Sequence, residues 1–242
     1  MPIEIGRIEA IFRYPVKSMR GEALDVATLG WHGLDCDRRL AFRRLDERGD
    51  FPWLSATKLP ELILFTPRWR GDRSADALPT HILTPDGEEM PVFGEALAAE
   101  VGRRCRAPVQ MMQLRQGLFD EASISVITSD TVAEVCRLAG TRADVRRFRP
   151  NVLVRSTRGI PFEEDEWVGG ALTFGAGDDA PTVAVTVRDV RCAMMNFDPD
   201  DGSTAAEMLK EVVRVHQNTA GVYGTVTHIG RLAVGQAIVL GR

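Results

Sequence analysis

The sequence predicts a mainly β fold with a few short helices, an α+β arrangement whose strands form a β-barrel or a sandwich. The main observation is that short apolar runs recur between Gly, Pro, Asn and Asp residues throughout residues 1–115. A second observation is that apolar residues at helical spacing are confined to short stretches such as 132–139. The 242 residues leave room for one large domain or two small ones.

The first half is expected to consist of short strands separated by turns. A strand is predicted over residues 3–14, with Gly6 at a β-bulge. Further strands are predicted over 23–29, 40–42, 62–66 and 109–114, and Pro85-Asp86-Gly87 indicates a hairpin between 81–84 and 90–93. The other segments are predicted as a turn-rich link at 30–34, a helical turn at 55–62, a surface loop at 68–79 and a short helix at 95–101.

The second half is predicted to combine strands with helices. Residues 123–128 alternate as a strand, and Thr131 with Glu134 forms a capping box for a helix that buries Cys136 and ends at Gly140. The acidic run at 163–166 is interpreted as a solvated surface. The remaining predictions are strands at 148–154 and 183–191, a helix capped by Thr204 and Glu207 that runs to 215, and a turn with a closing strand at 223–240.

The strand that ends at Cys192 is the part of the chain most indicative of chemistry. Val183, Val185 and Val187 alternate as in a half-buried strand, and Arg191-Cys192 then enters a run of turn residues. A cation beside a thiol favours the thiolate, which is the nucleophilic and metal-binding form. The alternative is that Cys192 is a small buried apolar residue, the more frequent role of an unpaired cysteine.

Four positions along the chain suit the binding of an anion or polar ligand. Lys17 and Ser18 lie in a loop between Pro15 and Gly21, and Arg38 follows an aspartate. Thr128 and Ser129 lie where a strand meets a helix N-terminus, and Arg149 and Asn151 lie two apart, so that they share one face of an extended segment. Each has a structural alternative: solvated surface charge, a salt bridge with Asp35 or Asp37, N-capping, or a satisfied turn.

Several functional classes are disfavoured. The net charge of −4 argues against nucleic-acid binding, and no apolar run is long enough for a signal core or a membrane span. The four cysteines are widely spaced, which favours a reducing compartment, the cytoplasm, over a disulfide scaffold or an iron–sulfur cluster. The histidines form no zinc motif, and the glycines at 175–177 precede a proline and a strand, where a dinucleotide site needs a helix.

Taken together, these residues make the sequence resemble the MOSC superfamily, the molybdenum-cofactor sulfurase C-terminal domain proteins. It looks most like the type with an N-terminal β-barrel, as in the mitochondrial amidoxime-reducing component. The resemblance rests on five short motifs in order: Tyr14-Pro15-Val16-Lys17-Ser18, Asp37-Arg38, Phe148-Arg149-Pro150-Asn151, Arg191-Cys192 with 198–202, and residues 230–236. It implies an N-terminal MOSC β-barrel domain over residues 1–115 and a MOSC domain over 116–242.

The resemblance implies a molybdenum–molybdopterin cofactor whose protein ligand is the thiolate of Cys192, the catalytic residue. The cofactor-binding residues that it implies are Lys17, Ser18, Arg38, Thr128, Ser129, Arg149, Asn151, Arg191, Tyr223 and Gly224. A soft sulfur ligand suits such a metal.

The activity implied by the resemblance is the reduction of small N-hydroxylated compounds. Electrons would come from a separate flavin or iron–sulfur protein. One alternative is a sulfur-carrier or cofactor-delivery protein that holds a persulfide on Cys192. Another is a β-barrel binding domain without a redox role.

Overall fold

The structure is a computed structural model that describes residues 2–71, 77–177 and 179–241. Most of its elements are strands: β1 (Ile3–Arg13), β2 (Glu22–Leu24), β3 (Val26–Gly30), β4 (Gly33–Leu34), β5 (Leu40–Arg44), β6 (Thr66–Arg68), β7 (His81–Leu83), β8 (Glu89–Pro91), β9 (Val109–Gln113), β10 (Ile124–Thr128), β11 (Val152–Ser156), β12 (Ala171–Phe174), β13 (Thr182–Val190), β14 (Thr219–His228), β15 (Gly230–Ala233) and β16 (Ala237–Gly241). The described α-helices are α1 (Glu95–Cys105), α2 (Ser129–Leu138) and α3 (Glu207–His216). The mainly β prediction is confirmed, and no helix in the described ranges is both long and apolar enough to cross a bilayer.

Seven strands close into a barrel. Their order is β11-β10-β14-β13-β12-β16-β1, and β1 closes the ring by pairing with β11. Closure removes the open sheet edges, and the inward side chains fill the interior. These include Ile8, Ile11, Trp167, Leu172, Phe174, Val183 and Val222, all at most 2% exposed.

The first strand supports the barrel from both sides. It pairs with β16 through Ile3–Arg7 and with β11 through Gly6–Ile11, and the register shifts in both ladders. The predicted bulge at Gly6 is confirmed by the shift between Glu4 and Gly6. A Cβ at Gly6 would lie 2.3 Å from the Arg155 carbonyl oxygen, so this crossing requires glycine.

A second core lies within the first half of the chain. It joins β5, β9, the three-stranded sheet β6-β7-β8 and the buried face of α1. The hairpin predicted at Pro85-Asp86-Gly87 is confirmed, because His81–Leu83 pairs with Glu89–Pro91. The division at residue 115 stays a prediction; strands from both sides of it, β1 and β11, pair in the barrel.

Helices α2 and α3 pack on the outside of the barrel. Their buried faces meet Ile127, Phe148 and Leu153 in a third core that includes Cys136, which is fully buried as predicted. The N-cap of α2 is Thr128, whose side chain accepts from the Thr131 amide, so the predicted Thr131–Glu134 capping box is wrong. Gly140 has a φ of 66° just beyond the helix, as expected for a left-handed residue there.

Several segments differ from their predictions. Helix α3 has Ala206 as its N-cap and no side-chain cap, so the predicted capping by Thr204 and Glu207 is wrong. The apolar run at 62–66 is mostly a 3₁₀-helix, Pro60–Leu64, because the proline at its start suits a first helical turn. The acidic run at 163–166 lies in a 3₁₀-helix, and its Glu163 and Glu164 are buried. Burial raises the pKa of Glu164, although the hydroxyls of Thr128 and Thr131 donate to its carboxylate.

Candidate functional site

Cys192 lies just beyond the end of β13, where the chain leaves the barrel. Its backbone is extended, and the 3₁₀-helix Ala193–Asn196 follows directly. The residue is exposed and its thiol is free, whereas Cys36 and Cys136 are buried and Cys105 is intermediate. The interpretation of Cys192 as a small buried residue is therefore wrong, and its thiol is accessible from solvent.

Cys192 lines a cleft that has an empty volume of about 550 Å³. Side chains from six separate parts of the chain form its walls: Lys17, Ser18, Arg38, Asp120, Arg147, Phe148, Arg149, Asp189, Val190, Arg191, Cys192, Met194, Met195 and Tyr223. Among the predicted site residues, seven are brought together here: Lys17, Ser18, Arg38, Arg149, Arg191, Cys192 and Tyr223. Thr128, Ser129, Asn151 and Gly224 do not line the cleft.

The cleft wall carries more cations than anions. Five lysine or arginine side chains line it, against the carboxylates of Asp120 and Asp189. The Lys17 ammonium lies 2.8 Å from Asp120, which is 103 positions away in the sequence. Burial acts to raise the pKa of Asp120, but the attraction and hydrogen bond of Lys17, together with the attraction of Arg38 and Arg149, hold that pKa below its usual value. The excess positive charge makes this cleft suited to a bound anion.

Arg38 forms an ion pair with the buried carboxylate of Asp37. Asp37 is 1% exposed, pairs with the Arg38 guanidinium and accepts from the Tyr14 amide at 2.7 Å and from Asn151 Nδ2 at 3.0 Å. Arg38 also donates to the Arg149 carbonyl at 3.1 Å. Asn151 thus contacts Asp37 and Arg38 rather than the cleft, and it positions the arginine.

Arg149 packs against the face of Tyr14. Its guanidinium carbon lies 4.1 Å from the ring centroid, and Nη1 donates to the Met19 carbonyl at 2.7 Å. Burial lowers the pKa of Arg149 to about 10, so the side chain is still a cation at neutral pH. Its φ is 53°, so the expectation that Arg149 and Asn151 share one extended face is wrong.

Three cleft residues have left-handed backbone conformations. Ser18, Arg38 and Arg149 have φ values of 65°, 51° and 53°, and they are three of the eight non-glycine residues with positive φ in the described chain. Each costs about 1–3 kcal/mol and persists only where its surroundings require it. Their grouping around one cleft is the backbone pattern expected of a binding site.

Arg191 fixes the base of the Cys192 loop. It is 8% exposed, with Nε donating to the Ala220 carbonyl and Nη1 to the Phe148 carbonyl, both at 2.7 Å. Its Nη2 lies 2.9 Å from Asp189, which also accepts from the Ser125 hydroxyl at 3.0 Å. Burial raises the pKa of Asp189 to about 6, against the opposing attraction of Arg191.

The elevated pKa of Asp189 predicts a pH-dependent loss of stability. The unfolded chain releases this proton near pH 4 and the folded chain near pH 6, so the folded state binds more protons between these values. The free energy of unfolding of the wild type, relative to Asp189→Asn, should therefore fall by about 2–3 kcal/mol from pH 4 to pH 6.5. Urea denaturation across this range measures it, with the exposed Asp46→Asn as the control. A constant difference between wild type and Asp189→Asn would contradict the assignment.

Thr128 and Ser129 lie at the far end of the barrel. Strand β10 passes the cleft near Ser125, which contacts Asp189, and Thr128 follows three residues later, about 10 Å further along the strand. Thr128 instead caps α2, and Ser129 Oγ lies 3.4 Å from the Val154 carbonyl. The predicted place of these two residues in the cleft is wrong; the N-capping alternative explains them.

Gly224 serves packing between strands. It pairs with Val185 on β13 and Ile124 on β10, and a Cβ there would lie 2.3 Å from Val183 Cγ1 and 2.7 Å from the Ala184 carbonyl. A glycine at this position lets β14 approach β13 closely.

Replacing Gly224 by alanine should destabilise the fold by about 3 kcal/mol, because the new methyl group must displace backbone in a closed barrel. Chemical denaturation measures the change. Gly49→Ala, where a Cβ meets only the Glu47 side chain, should change stability by less than about 1 kcal/mol. Similar effects of both substitutions would contradict the packing argument.

The sequence predictions missed three charged cleft residues. Asp120, Arg147 and Asp189 line the cleft, and none was among the candidates. Asp189 could have been found, because it lies only two residues before the predicted site residue Arg191. Asp120 offered none, because only the fold brings it to Lys17. No group of three or more His, Cys, Asp or Glu side chains that could hold a metal occurs in the part of the chain that the structure describes.

Comparisons with known proteins identify the family of the chain and a known structure that shares its fold. The chain matches the MOSC domain over residues 95–239 and the MOSC N-terminal beta barrel domain over residues 5–133. No curated protein matches it. The crystal structure of the YUAD protein from Bacillus subtilis is similar with a TM-score of 0.54 and 13% identity, covering 100% of this chain and 98% of that one, which shows a shared fold. YiiM from Geobacillus stearothermophilus, at 20% identity, is similar over 50% of this chain and 54% of its own with a TM-score of 0.37.

Proposed function

Because the chain belongs to the MOSC domain family, we propose that it binds a molybdenum–molybdopterin cofactor through Cys192 and reduces N-hydroxylated compounds. The observation that carries the proposal is an accessible, unpaired thiol at a cleft with excess positive charge. A thiolate is the soft ligand that such a metal takes, and arginine and lysine side chains bind phosphate.

The donor set of the cleft fits this cofactor. Lys17, Ser18 and Arg38 line the cleft, and their two cations can receive a phosphate. Arg149, Arg191 and Tyr223 complete the cofactor pocket in this proposal.

The reaction converts R–NHOH, two electrons and two protons into R–NH₂ and water. When bound, the cofactor supplies the two electrons to the N–O bond. Asp189 lines the cleft and its pKa is raised to about 6, so its carboxyl can hold a proton near neutral pH. A separate flavin or iron–sulfur protein would return the electrons to the cofactor.

A reductase assay tests the activity. Protein purified from a host that makes the cofactor, supplied with a reduced viologen dye, should convert hydroxylamine to ammonia. Protein from a host blocked in cofactor synthesis should not. Molybdenum-loaded protein that turns over no N-hydroxylated compound would contradict the proposed reaction.

A sulfur carrier is the second candidate, because an exposed thiol can also accept and pass on a persulfide. Mass spectrometry of intact protein distinguishes the two. A persulfide on Cys192 together with an absence of reductase turnover would favour the carrier.

The cytoplasm is the proposed location. Cys105, Cys136 and Cys192 are free thiols, which is the expected state in a reducing compartment.

A further inference from the structure

A second pocket adjoins the Cys192 cleft. Its empty volume is about 630 Å³, and it shares Arg147, Arg149 and Met194 with the cleft. The other residues that line it are Phe12, Tyr14, Arg20, Gly21, Ala23, Ile63, Arg146, Phe197 and Pro199. We call it the side pocket. Its shared wall places whatever it binds next to the space above Cys192.

Aromatic and aliphatic side chains form much of the side pocket. Phe12, Ile63 and Phe197 contribute apolar surface, and Tyr14 adds the face of a buried ring. A Cβ at Gly21 would lie 2.4 Å from the Tyr14 ring, so this glycine is needed for the ring to stand where it does. A pocket of this size and character suits a flat apolar group.

Three hydrogen-bond donors in the side pocket have no partner. The Tyr14 hydroxyl, Arg147 Nε and Arg20 Nε are buried atoms without a hydrogen bond in the described part of the chain. Tyr14 is 2% exposed and Arg147 is 8% exposed, so neither side chain is open to bulk water. A buried donor that is left unpaired is unfavourable, and a ligand with acceptor oxygens would offset this cost.

The arginines of the side pocket are not all neutralised by carboxylates. Arg146 pairs with Asp144 and Asp200, and Arg147 pairs with Asp198. In contrast, Arg149 donates to the Met19 carbonyl. Arg20 donates to the Pro199 carbonyl at 2.8 Å. Neither has an ion pair with a carboxylate among the described residues, so the pocket keeps positive charge and favours an anion.

We propose that the side pocket binds the body of the substrate, a flat apolar group that carries a carboxylate, while its N-hydroxyl end reaches past Met194 to the space above Cys192. This inference rests on the proposed function and adds the class of substrate to it. Arg20 and Arg147 receive the carboxylate, and Phe12, Tyr14 and Phe197 contact the apolar body.

Substrate comparison in the loaded enzyme tests the inference. The substrates are hydroxylamine, which has no body to bind, benzhydroxamic acid, and benzhydroxamic acid with a ring carboxylate. The carboxylated substrate should have the lowest KM of the three. Arg20→Gln should raise that KM about tenfold, because it removes a hydrogen bond between two charged groups. It should change the KM of benzhydroxamic acid much less.

A second variant tests the proposal by placing a large side chain in the side pocket. Ala23 is exposed on β2, so Ala23→Trp can fold while its indole enters the pocket. It should lower the ratio of kcat/KM for benzhydroxamic acid to that for hydroxylamine at least about tenfold, the size of a lost aromatic contact. The matched control is Ala99→Trp, at an exposed position of α1 outside both pockets.

A binding measurement separates failure of this inference from failure of the proposed function. Ligand-observed NMR of benzoate should show binding to the molybdenum-loaded wild type, weakened by Arg20→Gln and by Ala23→Trp but not by Ala99→Trp. Hydroxylamine turnover with equal KM values for all ring substrates, or benzoate binding only in cofactor-free protein, would overturn the side-pocket assignment alone. If the loaded protein turns over none of the three substrates, the proposed reaction is overturned, and benzoate binding still tests the pocket.

Discussion

Replacing Cys192 by alanine should remove molybdenum from the purified protein. In the proposed site the Cys192 thiolate is the protein's ligand to the metal, and the cleft cations contact other parts of the cofactor. Substitutions around metal ligands alone cost about 10–100-fold in affinity, so loss of the ligand should reduce the molybdenum content more than about tenfold. Metal analysis of protein expressed with ample cofactor measures this.

Cys105→Ala is the matched control for that prediction. Cys105 is also a free cysteine, but it ends α1 and contacts the Gly102 and Ala107 carbonyls, away from the cleft. It should retain the wild-type molybdenum content. If Cys192→Ala and Cys105→Ala hold equal molybdenum, Cys192 is not the ligand.

Replacing Asp37 by alanine should destabilise the protein by about 3–5 kcal/mol, the cost of breaking a buried ion pair by removing one partner. Three groups lose an acceptor at once: the Arg38 guanidinium, the Tyr14 amide and Asn151 Nδ2. For a chain of this size the thermal midpoint should fall by about 10 °C or more. Differential scanning calorimetry measures the shift.

Two further variants define what Asp37 does. Asp46→Ala removes an exposed partner of Arg44 and should cost less than about 1 kcal/mol. Asp37→Asn keeps an acceptor of the same shape without the charge, so its effect should lie between the other two. An Asp37→Ala protein as stable as Asp46→Ala would show that Arg38 needs no buried counter-charge.

The sequence predicted the cysteine and most of the cleft cations because their signals are local. Cys192 follows a strand and an arginine, and Lys17, Arg38 and Arg149 lie in turns next to strands, positions from which side chains meet at one end of a barrel. The resemblance to a family supplied their common purpose. The structure then placed all four around one cleft.

The errors arose because long-range arrangement is not visible in local patterns. For Thr128 and Ser129, the direction of strand β10 decides which of its ends meets the site. Thr128 ends β10 at the far side of the barrel, whereas Ser125 lies near Asp189. A local pattern of hydroxyls before a helix is the same in either case. Glu164 was mistaken for a solvated residue because its partners, Thr128 and Thr131, are more than thirty positions away.

Local sequence patterns also could not predict side chains whose roles depend on tertiary contacts. Asp120 lies in the cleft only because the chain returns to Lys17. The left-handed conformations of Ser18, Arg38 and Arg149 belong to residue types that rarely adopt them, so no turn pattern indicates them.

A crystal structure of the molybdenum-loaded protein, with diffraction measured on both sides of the molybdenum absorption edge, tests the central claim most directly. The expected result is one anomalous peak within bonding distance of Cys192 Sγ, with the cofactor phosphate against Lys17 and Arg38. A fully loaded protein whose anomalous peak lies away from Cys192 would contradict the account.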